Sequence, residues 1–470
     1  MKIYIFALFI VCWCLLSCKK NNQDFKYAQI NEVTIKTDSS VTISQFDTLR
    51  LDPVLTESKP AGESYSYQWK IYPVRPVEGI SPMVISTDKA IKAVISYPPL
   101  ADGYNLEYKV TNKSNGVSAF KTLRLQVSSV FSDGWLVSSA KGNTAQLDFI
   151  RSDYRVFYSA AASVNQTTYS GNAVAAYAYP SSFGSKISIG FFTDKGSYMY
   201  DSNSFLESGK LTIGFTPVKD QFDFAVSKYG TEEYIVNNGD LFATTVIDDP
   251  INITFSDRFI GDYSLFPKVI NSTNFFTYFF DNKYKRFMSV TFGDFSLNPI
   301  LSSTSTVFNM GDTGMTMVGA ADGSQNDSDG IFYFVMLDSN NDRYIFSLTG
   351  GRPTLKQKMQ NSPEIASAKS FAGSLFLSQL YYATDNHLYV YDILANSAKL
   401  IYSFPAGVSI KQMVVQPDDA KKLVIAANTN TSGSVYFFQL DNLGNVTNNN
   451  YLQKIDGFGA IANINYRKPL

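Results

Sequence analysis

The sequence predicts an all-β protein, an N-terminal β-sandwich followed by a β-propeller. Three observations predict it. Aromatic residues make up 15% of the chain and charged residues only 17%, and flat rings pack well on a pleated surface. Short runs alternate polar and apolar residues between Asn-, Asp- and Gly-rich turns, which is the pattern of half-buried strands joined by hairpins. From about Asp133 onward the hairpins recur roughly every 45 to 50 residues, the period of a four-stranded propeller blade.

The chain opens on Met1-Lys2, a short basic start, and an apolar run from Ile3 to Leu16 that carries no charge. A bilayer core takes roughly 20 apolar residues, so a run this short has the length of a secretory h-region. An uncleaved anchor helix is the alternative. Leu15-Leu16-Ser17-Cys18 resembles a bacterial lipobox. That resemblance implies that residues 1–17 are a signal peptide and that Cys18 is lipidated as the mature N-terminus, with the membrane as partner through its acyl chains. Cys12, Cys14 and Cys18 are the three cysteines of the chain, so the processed protein keeps Cys18 alone and forms no internal disulfide. Processing also removes Lys2, which leaves 39 basic against 41 acidic residues and a formal net of 39 − 41 = −2. So weak a field argues against nucleic acid as a partner. The polar stretch 18–26 reads as a flexible tether.

Residues 27–129 carry short strand patterns. Glu32-Val33-Thr34-Ile35, Thr48-Leu49-Arg50-Leu51, Tyr65 to Tyr72, Tyr104 to Val110 and Lys121 to Val127 all alternate. About seven strands in roughly 100 residues, with one Trp on a central strand, predict a sandwich with Trp69 in its core. Tyr67-Gln68-Trp69-Lys70 and Tyr108-Lys109-Val110-Thr111-Asn112 resemble a PKD-type immunoglobulin-like domain. The resemblance implies a spacer or binding module rather than an enzyme.

Residues 130–470 read as the propeller. The clearest unit runs from Leu380 through the Asp385-Asn386 turn, His387 to Asp392 and Ala395-Asn396-Ser397 into Lys399 to Tyr402. Ile410 to Val415 is the inner strand of the next unit. Asn and Asp suit tight hairpins because they tolerate φ > 0. Trp135 to Ser139 and Gln146 to Ile150 look like second and third strands without an inner one, while Ala460 to Tyr466 is a strand without a blade. Joining them closes the ring and leaves no open sheet edge. Counting that shared blade gives seven, with six and eight as neighbouring counts because residues 205–260 parse poorly. Separate β-sandwiches are the competing arrangement.

Signatures of chemistry are sparse. A single histidine, His387, serves the whole chain, which excludes a zinc site built on several imidazoles. No Gly-x-Ser-x-Gly elbow accompanies it, and there is no P-loop or dinucleotide fingerprint. Asp322 to Gly330 is rich in oxygen ligands, but it lacks EF-hand spacing and a terminal Glu, so it reads as a solvated loop. No metal or other cofactor is expected. The turns at Lys141-Gly142-Asn143, Asp194-Lys195, Asn237 to Asp240, Asp281-Asn282, Asp338 to Asp342 and Asp385 to His387 should gather on one propeller face. Asp194, Asp281, Asp342, Asp385 and His387 are therefore the candidate ligand contacts. The plainer account is that hairpins demand Asn and Asp there.

Taken together, the lipobox, tether, Trp69 region and propeller resemble the PKD-like family lipoproteins of the Bacteroidetes. The resemblance implies a non-catalytic outer-membrane lipoprotein. Such a protein binds a glycan or peptide or docks on a SusC/SusD-type TonB-dependent importer. A polysaccharide-degrading propeller enzyme and a structural or adhesive surface protein are the alternatives. Surface-exported members often carry acidic residues after the lipidated cysteine. Here Lys19-Lys20 comes first and only Asp24 follows, a departure that keeps the periplasmic face open beside the cell surface, which is the expectation.

Overall fold

Alternating residues become paired strands along nearly the whole chain. The computed structural model describes residues 30–59, 62–181, 186–228, 230–245, 252–271, 275–301, 305–325 and 330–468. The signal peptide, Cys18 and the tether lie outside the described residues. The chain divides between Ser128 and Ser129 into two compact units.

In the first unit, Tyr65–Pro73 and Tyr104–Asn112 pair antiparallel along their full length, with Trp69 opposite Tyr108. They sit inside a five-stranded sheet completed by Ser40–Ser44, Ser118–Ser128 and Met83–Ser86. Two short ladders, Val33–Lys36 with Val54–Glu57 and Thr48–Leu51 with Ile91–Val94, supply the remaining strands. The described strands therefore number nine and not about seven, because the second layer is built from four-residue pieces too short to show clear alternation. Trp69 is fully buried. Its ring stacks on Tyr108 at 4.2 Å, and its Nε1 donates to the Asp88 carbonyl at 3.1 Å, so its polar edge is satisfied inside an apolar core.

The second unit is a ring of seven sheets among the described residues. From the inside outward, blade 1 is Ala460–Arg467, Gly134–Lys141, Thr144–Arg151 and Val156–Phe157. Blades 2, 5, 6 and 7 begin with the inner strands Ala173–Ser181, Thr316–Asp322, Ser370–Gly373 and Ser409–Val415, each followed by three antiparallel neighbours. Blade 3 has Phe222–Val226, Glu232–Asn237 and Asp240–Thr245. Its next strand, Asn252–Thr254, leaves it and pairs in parallel with Glu207–Thr212 of blade 2. Blade 4 has an irregular inner segment, residues 265–270, bridged to Phe276–Asp281 at two points. The tight turns take the conformations their residues allow. Asn238 and Gly239 sit at φ 52° and 85° between two buried strands of blade 3.

Seven hydrophobic clusters fill the seven junctions between consecutive blades. The cluster between blades 7 and 1 packs Val424, Val435 and Phe437 against Trp135, Ile461 and Ile464, so the ring is closed by packing as well as by strand pairing. Side chains also stitch the inner strands together. Asn463 Oδ1 and Asn465 Oδ1 accept the amides of Ala176 and Ala178 in blade 2. Gln412 Oε1 in blade 7 accepts Ile464 N at 2.7 Å and Asn463 Nδ2 at 3.2 Å. Tyr177 OH and Val269 N both donate to Asp223, joining blades 2, 3 and 4, and Met413 N donates to Ser370 Oγ across blades 6 and 7. Stranding such partners in a partly dry setting costs about 1–3 kcal/mol. Asn463→Ala is accordingly expected to lower the unfolding free energy of the propeller in urea by that amount, while the first unit's own transition stays where it is.

Candidate functional site

The inner strands leave room at the ring's axis. A cavity of about 1000 Å³ runs among them and is lined by residues from every blade. A void of about 10 Å³ between blades 1 and 7, beside Trp135 and Tyr466, is room for roughly one water. The axial channel is thus the space that can take a ligand.

Backbone irregularity decides what lines it. The ladder register slips by one residue in four inner strands, and the extra residues are Val174, Val318, Lys411 and Ala462. All four line the channel. A bulged residue has no ladder partner opposite it and is re-aimed relative to its neighbours. In blades 1, 2 and 5 that position is apolar; in blade 7 it is a lysine.

Charges line the rest of the wall. Lys268 Nζ lies 2.8 Å from Asp322 Oδ1. Burial pulls the Lys268 ammonium down, but Asp322 and Asp223 together outweigh it and the net shift is upward. Burial pushes the Asp223 carboxyl up, against the Lys268 charge and the Val269 amide that hold it down. Lys411 pairs with Asp220; burial, together with the neighbouring Lys219 ammonium, nevertheless pushes the Lys411 amine down to about 8. Phe222, Phe266 and Phe371 present rings to the same space. The wall is therefore mixed, with apolar side chains beside seven charged ones, and suits a polar or charged ligand better than an apolar one.

The five turn residues singled out in the sequence all sit at the hairpin from the second to the third strand of their blades, Asp281 as the last residue of one strand and His387 as the first of another, so the radial repeat carries them to one rim. None of the five lines the channel. Asp194 accepts the amide and side chain of Asn172, both at 2.9 Å. Asp281 is fully buried and accepts Ser264 N at 3.0 Å and Arg286 Nε at 3.3 Å. Asp342 pairs with Lys358 at 2.6 Å. His387 Nδ1 sits 2.9 Å from Glu364 Oε2, and that hydrogen bond holds the Glu364 carboxyl below its ordinary range. These four are engaged within their own blades. Asp385 differs, because it holds Lys369 at 2.5 Å and Ser409 Oγ at 3.1 Å, and both partners line the channel. Residues 326–329 of the oxygen-rich loop lie outside the described residues.

Asp220, Asp223, Lys268 and Lys411 were not singled out from the sequence. A signal was present for Lys411: Lys411-Gln412 interrupts the otherwise apolar inner strand that ends Met413-Val414-Val415.

Comparison with known proteins adds the following. Residues 18–177 match the model of the PKD-like family. The match covers the first unit and runs on through blade 1 into the inner strand of blade 2. Comparison with curated proteins returns no match. Among solved structures, a quinonprotein alcohol dehydrogenase-like protein of Bacteroides thetaiotaomicron aligns over 92% of this chain and 97% of its own, at 13% identity and a TM-score of 0.50. The Nup133 β-propeller domain of Vanderwaltozyma polyspora aligns over 60% of this chain and 85% of its own, at 10% identity and a TM-score of 0.34. The chain is an all-β protein with a PKD-like N-terminal domain and a propeller-like second unit.

Proposed function

We propose that the protein is a non-catalytic, lipid-anchored subunit of the outer membrane that captures a glycan or peptide for a SusC/SusD-type importer. The observation that carries this reading is the axial channel of about 1000 Å³, open to a ligand and lined by rings and placed charges. The lipobox at Leu15 to Cys18 supports the anchor and the tether supports reach to a neighbour. The PKD-like unit serves as a spacer or a second binding module, and the cell surface is the proposed face.

The test is to purify the tagged, full-length lipoprotein from its own outer membrane in mild detergent and identify what accompanies it. Recovery with a large β-barrel transporter and its lid lipoprotein is the expected result. Cys18→Ala is expected to release the protein from the membrane fraction and to lose that company. A wild-type protein recovered alone, with uptake of every tested nutrient unchanged on its deletion, overturns the importer reading.

A further inference from the structure

Lys411 is the bulged residue of blade 7, at a place where blades 1, 2 and 5 carry Ala462, Val174 and Val318. Those residues show that an apolar side chain meets the structural needs of the bulge. A lysine there is costly, because its ammonium is largely withdrawn from water with a side-chain exposure of 19%. The carboxylate it meets comes from elsewhere in the ring. Asp220 lies just before the inner strand of blade 3, and blades 1 and 2 stand between blade 3 and blade 7. The Asp220–Lys411 pair therefore spans the channel and does not stitch neighbouring blades, unlike the bonds made by Asp223, Gln412, Asn463 and Ser370. Asp220 keeps 60% of its side-chain surface exposed, so it can swing out into water at little cost. Two more cations serve the same space: Lys219 acts on Lys411, and Lys369, just before the adjoining inner strand and paired with Asp385, lines the cavity.

Resting on the reading of the channel as a ligand site, we propose that Lys411 is the anchor for the carboxylate of an acidic sugar, and that Asp220 occupies this anchor until the sugar displaces it. Phe222 and Phe371 line the same cavity and add apolar contact for the carbon skeleton of a sugar. A peptide binding by strand addition would have to pair with the free edges of the inner strands. The amides of Ala176, Ala178, Met413 and Ile464 are already taken by side chains, so strand addition is blocked there. The site is thus a carboxylate pocket with a built-in competitor.

Titration of the full-length protein with trigalacturonate, and with its fully methyl-esterified form, tests this. Asp220→Asn removes the competing charge and is expected to tighten trigalacturonate binding about tenfold, the scale of one charge-assisted hydrogen bond. Lys411→Met keeps the length and apolar character that the other bulges tolerate, and is expected to weaken binding by about tenfold or more. Neither change should alter the response to the methyl ester. Absence of trigalacturonate binding to D220N, or binding unchanged in K411M with its melting curve intact, overturns the proposal. So does tetraglutamate binding D220N more tightly than the sugar. If the importer still co-purifies, or a neutral glycan still binds, the wider reading survives that failure; loss of every partner and every ligand removes both.

Discussion

Ending the chain at Gly459 is expected to abolish the folded propeller. Ala460–Arg467 is the inner strand of blade 1, paired antiparallel along Gly134–Lys141 more than 300 positions earlier in the numbering. Ile461 and Ile464 are fully buried and Tyr466 nearly so. Each such burial is worth about 1.5–3 kcal/mol, so three of them approach the whole stability of an ordinary domain, about 5–15 kcal/mol. The loss also strips Asn463 and Asn465 from the blade 2 amides. It removes Arg467, buried at 1% exposure, which donates to Ser202 Oγ at 3.1 Å, to Asn203 Oδ1 at 2.9 Å and to the Ser132 carbonyl. An unpaired edge on Gly134–Lys141 would then invite aggregation. Near-ultraviolet circular dichroism is the measurement, since the Trp135 ring lies 5.2 Å from that of Tyr466. The truncated chain should lose the propeller's signal and its cooperative melt, while the first unit, with its own core around Trp69, still melts. A truncated chain with the full-length spectrum and melting temperature would mean that the closing strand is dispensable.

That closing strand was legible because two incomplete patterns, a blade lacking an inner strand and a strand lacking a blade, fit one another. The hairpins were legible for a related reason: Asn238-Gly239 and Asp385-Asn386 interrupt period-2 runs with residues suited to tight turns. Blade 3 was not. Its turn at Asn237 to Asp240 is plain, but Asn252–Thr254 crosses to the sheet of blade 2 and pairs in parallel, and a local pattern carries no trace of a partner roughly forty residues earlier. Residues 265–270 failed for another reason, since Pro267 interrupts the run and only two bridges hold it. The channel wall was hidden by its own geometry. A bulge adds one residue and shifts the alternation, so Lys411 falls out of phase with the apolar positions around it. Asp220 and Lys411 are 191 positions apart in the numbering, and only ring closure brings them together. Sequence reasoning instead reached the Asp- and Asn-rich turns, whose side chains are occupied by local caps and ion pairs.

Glu233→Gln is expected to make the propeller more stable at pH 8 by on the order of 3–5 kcal/mol and to change it little near pH 4. Glu233 lies on the second strand of blade 3 at 1% exposure, and neither of its carboxylate oxygens has a hydrogen-bond partner among the described residues. Its neighbour Glu232 shows the contrast, since it accepts Tyr234 OH at 2.8 Å and Gly293 N at 2.6 Å. Burial alone pushes the Glu233 carboxyl up from 4.5 to about 8. The folded state therefore holds a proton that the unfolded chain releases above pH 4.5. The stability this proton confers is complete below the unfolded value, declines as pH rises, and is gone once pH passes the folded value near 8. Asp148 acts with the same sign over a lower window: burial raises it to about 6 against the hydrogen bonds from Ser159 N and Ser139 Oγ that hold it down. Asp223, also raised by burial, and Lys411, lowered to about 8, titrate in both proteins, so the difference between wild type and E233Q over pH 6 to 8 isolates Glu233. Across that interval the unfolding free energy of the wild type, from urea titrations, should fall relative to that of E233Q with a slope approaching 1.4 kcal/mol per pH unit. Parallel slopes for the two proteins would show that the carboxyl is ionised in the fold and has found a partner, and the two-blade interface it faces would then need a counter-charge or water to hold it.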